Sequence, residues 1–273
     1  MKTDIKILLL GLSALGILIL YSFSPIQIGE EDTEIRKADF LALATPTKIP
    51  VAHKSTPVKK DTANSAAIAK KAVAKPEGPD TTSQKILFIG DSMVGFLGKP
   101  FESYALCNGH EIESVTWASS TTRHWAETDT LQHFLRKYDP TYVVICLGSN
   151  EIFTKNTDQR REWVKTIEKK LGGLPYVWIS PPNWKEVYTF TDMLCDAVGK
   201  DRYFDSTHLK LDRGPDHAHP THPAAAIWMD TVASWMQSDK NRHPIVMARP
   251  DKKAKTYHIH ALKPYRLPSK KKS

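Results

Sequence analysis

Cysteine is scarce in this chain, with three in 273 residues. Cys107, Cys146 and Cys195 form no CxxC pair and no metal-ligand spacing, so no cysteine-based metal site is expected. Cys146 sits in an apolar run and reads as a small buried hydrophobe. Cys107 and Cys195 either pair, if the domain is exported, or remain free thiols. Apolar residues are few for one uniform globule, at 41%, so part of the chain is expected to lie outside any core. Acidic residues are nearly missing after position 239. Residues 240–273 hold eleven Lys/Arg and one Asp, a net of +10 within a chain total of +8. The remainder is therefore near −2, and the basic character belongs to the C-terminal end.

One long apolar run is present. Residues 5–23 read IKILLLGLSALGILILYSF, with Lys2 and Lys6 at its start and Glu30, Glu31, Asp32 and Glu34 after it. Roughly 18 apolar residues span a bilayer core as a helix. The flanking charges place the N-terminus in the cytoplasm and the rest outside. A cleaved signal peptide would show a shorter apolar stretch and a small-x-small cleavage site. None stands out after Leu20, which favours an uncleaved signal anchor over residues 1–23. Residues 24–84 are dominated by Pro, Ala, Lys, Thr and Ser. With few aromatics and no apolar period they bury too little to offset ordering entropy, and read as a disordered spacer. Residues 240–273 read as a flexible basic tail. An export signal argues against a nucleic-acid arm, so the partner expected there is an anionic cell-surface polymer, lipid headgroups or none.

Between these extensions, from residue 85 to 239, short apolar runs alternate with helix-like stretches. Strands are predicted at 86–89, 112–117, 142–147 (YVVICL) and 176–180 (YVWIS), with a short fifth at 203–205. Trp163, Val164, Ile167 and Leu171 recur at helical spacing, and so do Ala225, Trp228, Met229, Val232 and Trp235. This alternation implies a parallel sheet with helices on both faces.

Three stretches carry candidate chemistry. Ser92 follows the first strand in ILFIGDSM, where open α/β sheets place their ligands. A serine hydroxyl needs a base within hydrogen-bond reach to act as a nucleophile. Asp216 and His219 supply one from RGPDHAHPTHPAAAIW, three residues apart on one short turn. The carboxylate there can hold the imidazole tautomer and support its charged form. In LGSNE, after the third strand, Gly148 allows close approach of a ligand and Asn150 offers an amide donor to a developing oxyanion. Each stretch alone is an ordinary turn; together they make a nucleophile, a donor and a base with its orienter.

These blocks, in this order, resemble those of the SGNH (GDSL-type) hydrolases over about residues 85–236. Gly90-Asp91-Ser92 resembles the first block, Gly148-Ser149-Asn150-Glu151 the third, and Asp216-His217-Ala218-His219 the last. The second block departs from the pattern. WASSTTRHW, residues 117–125, has no glycine, and the Arg123-His124-Trp125 flank puts Ser119 in its place, with Ser120 the next choice. Any residue but proline supplies a backbone N–H there, at the conformational cost of a serine in a glycine position.

The resemblance implies a three-layer, flavodoxin-like α/β/α fold of about five strands. It implies Ser92, His219 and Asp216 as a catalytic triad, and Ser92, Ser119 and Asn150 as the oxyanion hole. It also implies ester chemistry, often on acyl groups of carbohydrates or lipids; no cofactor or metal is expected. Gly148 and Trp125 are expected to touch substrate, with Trp117 and Trp184 as further sugar-stacking candidates. The expected protein is a serine esterase held by one span in a bacterial inner membrane, its domain in the periplasm or outside the cell, deacylating an envelope or exported polysaccharide. An O-acyltransferase with the same triad, and a catalytically inactive glycan-binding module, are the alternatives.

Overall fold

Strand β1 (Lys85–Gly90) is the centre of the sheet, because its side chains are apolar on both faces: Ile86 and Phe88 point one way, Leu87 and Ile89 the other. A strand buried on both sides cannot sit at a solvent-facing edge. It pairs in parallel with β2 (Glu111–Trp117) and β3 (Tyr142–Cys146). Beyond β3 lie β4 (Tyr176–Ile179) and β5 (Tyr203–Phe204), and beyond β2 lies β6 (Ile259–Leu262). The result is a six-stranded parallel sheet in the order β5-β4-β3-β1-β2-β6. These elements come from a computed structural model, which describes residues 78–268.

Six helices cover the two faces: α1 (Met93–Cys107), α2 (Thr122–Glu127), α3 (Thr130–Tyr138), α4 (Thr157–Leu171), α5 (Thr189–Val198) and α6 (His222–Met236). α1 and α6 pack with Ile86, Phe88, Val144, Cys146, Val177 and Ile179. α2 to α5 pack with Leu87, Ile89, Val143, Ile145 and Trp178. This division follows from right-handed crossovers. The chain steps from β1 to β2 with its helix on one face, then reverses and steps from β2 to β5 with its helices on the other. The reversal creates a switch point between β1 and β3, where their carboxyl ends open a crevice. Phe88, Trp178, Phe190 and Trp228 are fully buried, each contributing roughly 1.5–3 kcal/mol by leaving water.

The three-layer α/β/α reading holds, and its periodicities land well. The helical spacing of Trp163 to Leu171 belongs to α4, and that of Ala225 to Trp235 to α6, whose N-cap Thr221 accepts from Ala224 N at 3.3 Å. The boundaries need correction at both ends. The spacer does not reach residue 84: Asp80 pairs with Ile245, and Gln84 is buried. The stretch from residue 240 to 268 is no solvated tail. Asn241, Ile245 and Met247 are buried, Asn241 Nδ2 donates to Met236 O at 2.9 Å, and residues 259–262 form the sixth strand against β2. High lysine content hid the few apolar residues that anchor this segment. All three cysteines are free, Cys146 being buried in β3 as expected. Among the described residues no helix is long and apolar enough to cross a membrane; the apolar run at 5–23 lies outside them.

Candidate active site

Ser92 stands between β1 and α1 because the strand cannot continue. A Cβ on Gly90 would lie 1.8 Å from the Cys146 carbonyl oxygen, so only glycine lets β1 approach β3 so closely. Asp91 follows, fully buried, and its backbone oxygen accepts from Thr116 Oγ1 at 2.9 Å. Ser92 then opens α1, where the first N–H groups of a helix have no intrahelical acceptor.

His219 Nε2 lies 2.7 Å from Ser92 Oγ, and His219 Nδ1 lies 2.5 Å from Asp216 Oδ2. A carboxylate accepts the Nδ1 proton, which leaves the Nε2 lone pair facing the serine hydroxyl. Asp216 Oδ1 also accepts from the N–H groups of Ala218 and His219, each at 3.0 Å. The His219 side chain, followed by these two N–H groups, holds the Asp216 carboxyl well below the ordinary carboxylate range. The Asp216 side chain is 52% exposed, so this pair sits at an open rim.

The turn carrying the pair is built from its own backbone and one arginine. Gly214 N donates to His219 O at 2.9 Å, and Arg213 and Pro220 form an antiparallel bridge. Arg213 Nη1 donates to Ala218 O at 2.7 Å, and its Nη2 to Pro182 O at 3.1 Å. That guanidinium ties the turn to the loop after β4. The Phe96 ring on α1 stacks on the imidazole of His219 at 4.9 Å between centroids. Neither Arg213 nor Phe96 was marked in the sequence reading. Phe96 lay at i+4 from Ser92 on a helix start, and that spacing was the available signal.

The opposite wall comes from the β2 and β3 loops. Ser120 N donates to Trp117 O at 3.0 Å, closing a turn in which Ser119 takes φ 61°. This left-handed backbone is the conformation expected of a glycine position, here adopted by serine. Asn150 is exposed, and its Nδ2 donates to Ser120 O at 2.9 Å, so one amide hydrogen links the two loops and the second remains. Glu151, 3% exposed, accepts from Thr122 N at 2.7 Å and Thr122 Oγ1 at 2.9 Å, with Arg160 Nε 3.3 Å away. Burial pushes its carboxyl up, opposed by the Thr122 bonds.

Two expected substrate contacts have structural duties instead. Gly148 is buried at φ 127°, and a Cβ there would come within 2.5 Å of the Phe190 ring. Its close approach is to Phe190 and to Asp91, whose Oδ2 accepts from Gly148 N at 3.0 Å and Ser149 N at 2.9 Å. Trp125 is fully buried, and its Nε1 donates to Ser120 Oγ at 3.0 Å; it supports the Ser119 turn from beneath. Trp117 is likewise core at 5% exposure. Trp184 alone of the three is half-buried, edge-on to the exposed Phe153 ring at 6.2 Å. Asp91 was the larger omission. Burial raises its carboxyl above the ordinary range, while the N–H groups of Met93, Ser149 and Gly148 oppose the shift. It locks the Ser92 turn to the Asn150 loop.

No family model matches the chain, and no curated protein matches it. Among solved structures, an alpha/beta hydrolase enzyme from the metagenome of Lake Arreo, Spain, is similar at 12% identity and a TM-score of 0.46, covering 57% of this chain and 96% of that one. An acetylxylan esterase from Geobacillus stearothermophilus is similar at 12% identity and a TM-score of 0.43, over 58% and 96% of the two chains. The C-terminal catalytic domain of a peptidoglycan O-acetyltransferase from Streptococcus pneumoniae is 19% identical, with a TM-score of 0.42 over 57% and 93%.

Proposed function

We propose that this protein is a serine esterase that removes O-acyl groups, acetyl foremost, from a cell-envelope or exported polysaccharide. One observation carries the reading: the relay from Ser92 Oγ to His219 Nε2 at 2.7 Å and from His219 Nδ1 to Asp216 Oδ2 at 2.5 Å. In this reading His219 takes the Ser92 proton as Oγ attacks the ester carbonyl. Asp216 keeps the Nδ1 proton in place and supports the imidazolium. The backbone N–H groups of Ser92 and Ser119, with the second Asn150 amide hydrogen, receive the oxyanion. His219 then protonates the leaving sugar hydroxyl. Water, deprotonated by His219, attacks the acyl-serine, releasing the carboxylic acid and returning the proton to Ser92. No step requires a metal or cofactor.

The rim position of the pair suits an acyl group carried on a polymer, since a bulky chain can reach a hydroxyl in an open crevice. The apolar run at 5–23 supports a single-pass anchor in a bacterial inner membrane with the domain in the periplasm or outside the cell. Protease accessibility of the domain in intact spheroplasts checks that placement.

The test is a fluorophosphonate probe together with a chromogenic acetate ester. Wild-type protein is expected to label at Ser92 and to hydrolyse the ester. Ser92→Ala is expected to lose both, with hydrolysis down about a thousandfold or more, while its melting curve stays cooperative. Full hydrolysis by Ser92→Ala removes the assignment. Failure of the folded wild type to label favours a non-catalytic glycan-binding module. Addition of a glycan acceptor distinguishes the transferase alternative, because acyl transfer to the glycan would replace release of free acid.

A further inference from the structure

A cleft of about 500 Å³ lies at the Ser119 turn, between α2 and the chain after β6. Its walls are Ser119, Thr121, Arg123, His124 and the segment from Pro264 to Leu267. Among the described residues no acidic side chain lines it. Tyr265 is 58% exposed there, and Arg266 is exposed beside it, with exposed Lys263 just before.

This segment is placed by specific bonds, not draped over the surface. Trp117 Nε1 donates to Lys263 O at 3.0 Å, and Arg123 Nη2 donates to Pro268 O at 2.8 Å. His124 Nδ1 accepts from Thr121 N at 3.1 Å, so the neutral ring's proton sits on Nε2 and is donated to Tyr265 O at 2.8 Å. Arg123 Nε is held by Glu127 at 2.8 Å, which offsets its charge. The two ring nitrogens of His124 are both engaged, with the Thr121 N–H and the Tyr265 carbonyl. Among the described residues, Arg266 is the cation on the cleft wall with no acidic partner, and Lys263 lies close before it in the chain. Three carbonyls of one short basic segment are clamped by side chains of β2 and α2, the same elements that frame the Ser119 turn.

We propose that this cleft is a subsite for an acidic glycan, with the carboxylate of a uronate-type sugar on Arg266 and the sugar ring against Tyr265. The inference rests on the esterase reading for its substrate and adds the polymer's charge. A planar guanidinium accepts a carboxylate in two parallel bonds. An exposed aromatic ring offers a flat apolar face to a sugar, and Ser119 lines the same cleft. Because the cleft lies at the Ser119 turn, an acidic residue bound there lies next in the chain to the sugar whose acyl group faces Ser92. The basic segment is thus part of the substrate path and not a separate adhesive arm.

Binding of a galacturonate hexamer, and of its fully methyl-esterified neutral form, to full-length Ser92→Ala protein tests the proposal by calorimetry. The acidic hexamer is expected to bind about tenfold more tightly, with the preference shrinking as salt rises. Arg266→Glu added to that protein is expected to abolish the preference. Lys252→Glu, which makes the same change in net charge at an exposed position outside the cleft, is expected to leave it. Equal binding of the two hexamers, or equal loss with Lys252→Glu, overturns the subsite. Both measurements avoid catalysis, so an inactive wild type would overturn the esterase reading while these results still decide the subsite.

Discussion

Two aspartates fix the surroundings of Ser92, and they are built in opposite ways. Asp91 is fully buried, and its carboxyl is pushed up by the loss of water. Asp216 is half exposed, and its carboxyl is pulled down by the His219 imidazole and by two N–H groups. The first joins β1 to the β3 loop through Met93, Gly148 and Ser149. The second orients one imidazole. The same side chain therefore serves as a structural bolt on one side of the crevice and as a charge partner on the other, and burial decides which. The wall that holds the Asn150 loop is rigid and interior. The wall that holds His219 is a surface turn, kept in place by Arg213 and by the Phe96 ring.

This contrast can be broken most strongly at Asp216. Asp216→Ala is expected to lower kcat on the acetate ester by about a thousandfold or more, with little change in melting temperature because the side chain is at the rim. A variant that keeps its rate would remove Asp216 from the relay. Asp91→Ala should behave in reverse. It strands three buried N–H groups without their acceptor, and the loss in stability is expected at about 3 kcal/mol, read by chemical denaturation. An undiminished stability would mean that Asp91 is no bolt.

Smaller effects sharpen the rigid wall. Gly148→Ala forces a Cβ into the Phe190 ring at a left-handed φ, and is expected to cost about 2 kcal/mol. Ser119→Gly relieves the strain at φ 61° and retains the N–H, so it is expected to raise stability by about 0.5–1 kcal/mol with the ester rate kept. A lowered stability would show that the serine side chain is itself needed by the turn. The smallest effect concerns pH. A carboxyl whose folded value is depressed contributes stability above its unfolded value and loses it as pH falls through the folded one. The difference in melting temperature between wild type and Asp216→Asn is therefore expected to be constant from neutral pH to about pH 5, and to narrow only below the ordinary value of 3.8. Narrowing well above that value would contradict the depressed carboxyl.

Much of this arrangement was legible in local pattern. Ile86 to Ile89 announce a strand apolar on both sides, and Trp163, Val164, Ile167 and Leu171 announce one helix face. Ser92, Asn150, Asp216 and His219 were marked because each follows an apolar run or sits on a turn. Trp125 and Gly148 misled for a common reason. Their residue types suit a ligand contact, but packing claims both: Trp125 is fully buried against the nearby Ser120, and Phe190 is brought onto Gly148 from α5. The segment after residue 240 misled because its lysines outnumber the Ile245, Met247 and Ile259 side chains that dock it. A sixth parallel strand of four residues carries too little periodicity to stand out against such a charge run.

The sequence by itself determined the layered α/β class, the positions of the first five strands, and which side chains could serve as nucleophile, base and orienter. These depend on short-range periodicity and on residue chemistry, which neighbours in the chain express directly. Only the tertiary structure decided that Ser92 and His219, 127 positions apart, meet at 2.7 Å, that Asp91 is a buried bolt, and that a basic C-terminal segment closes the sheet edge beside Ser119. These depend on crossovers that carry the chain between distant strands, and on burial, which is a property of the packed whole and belongs to no single stretch of residues.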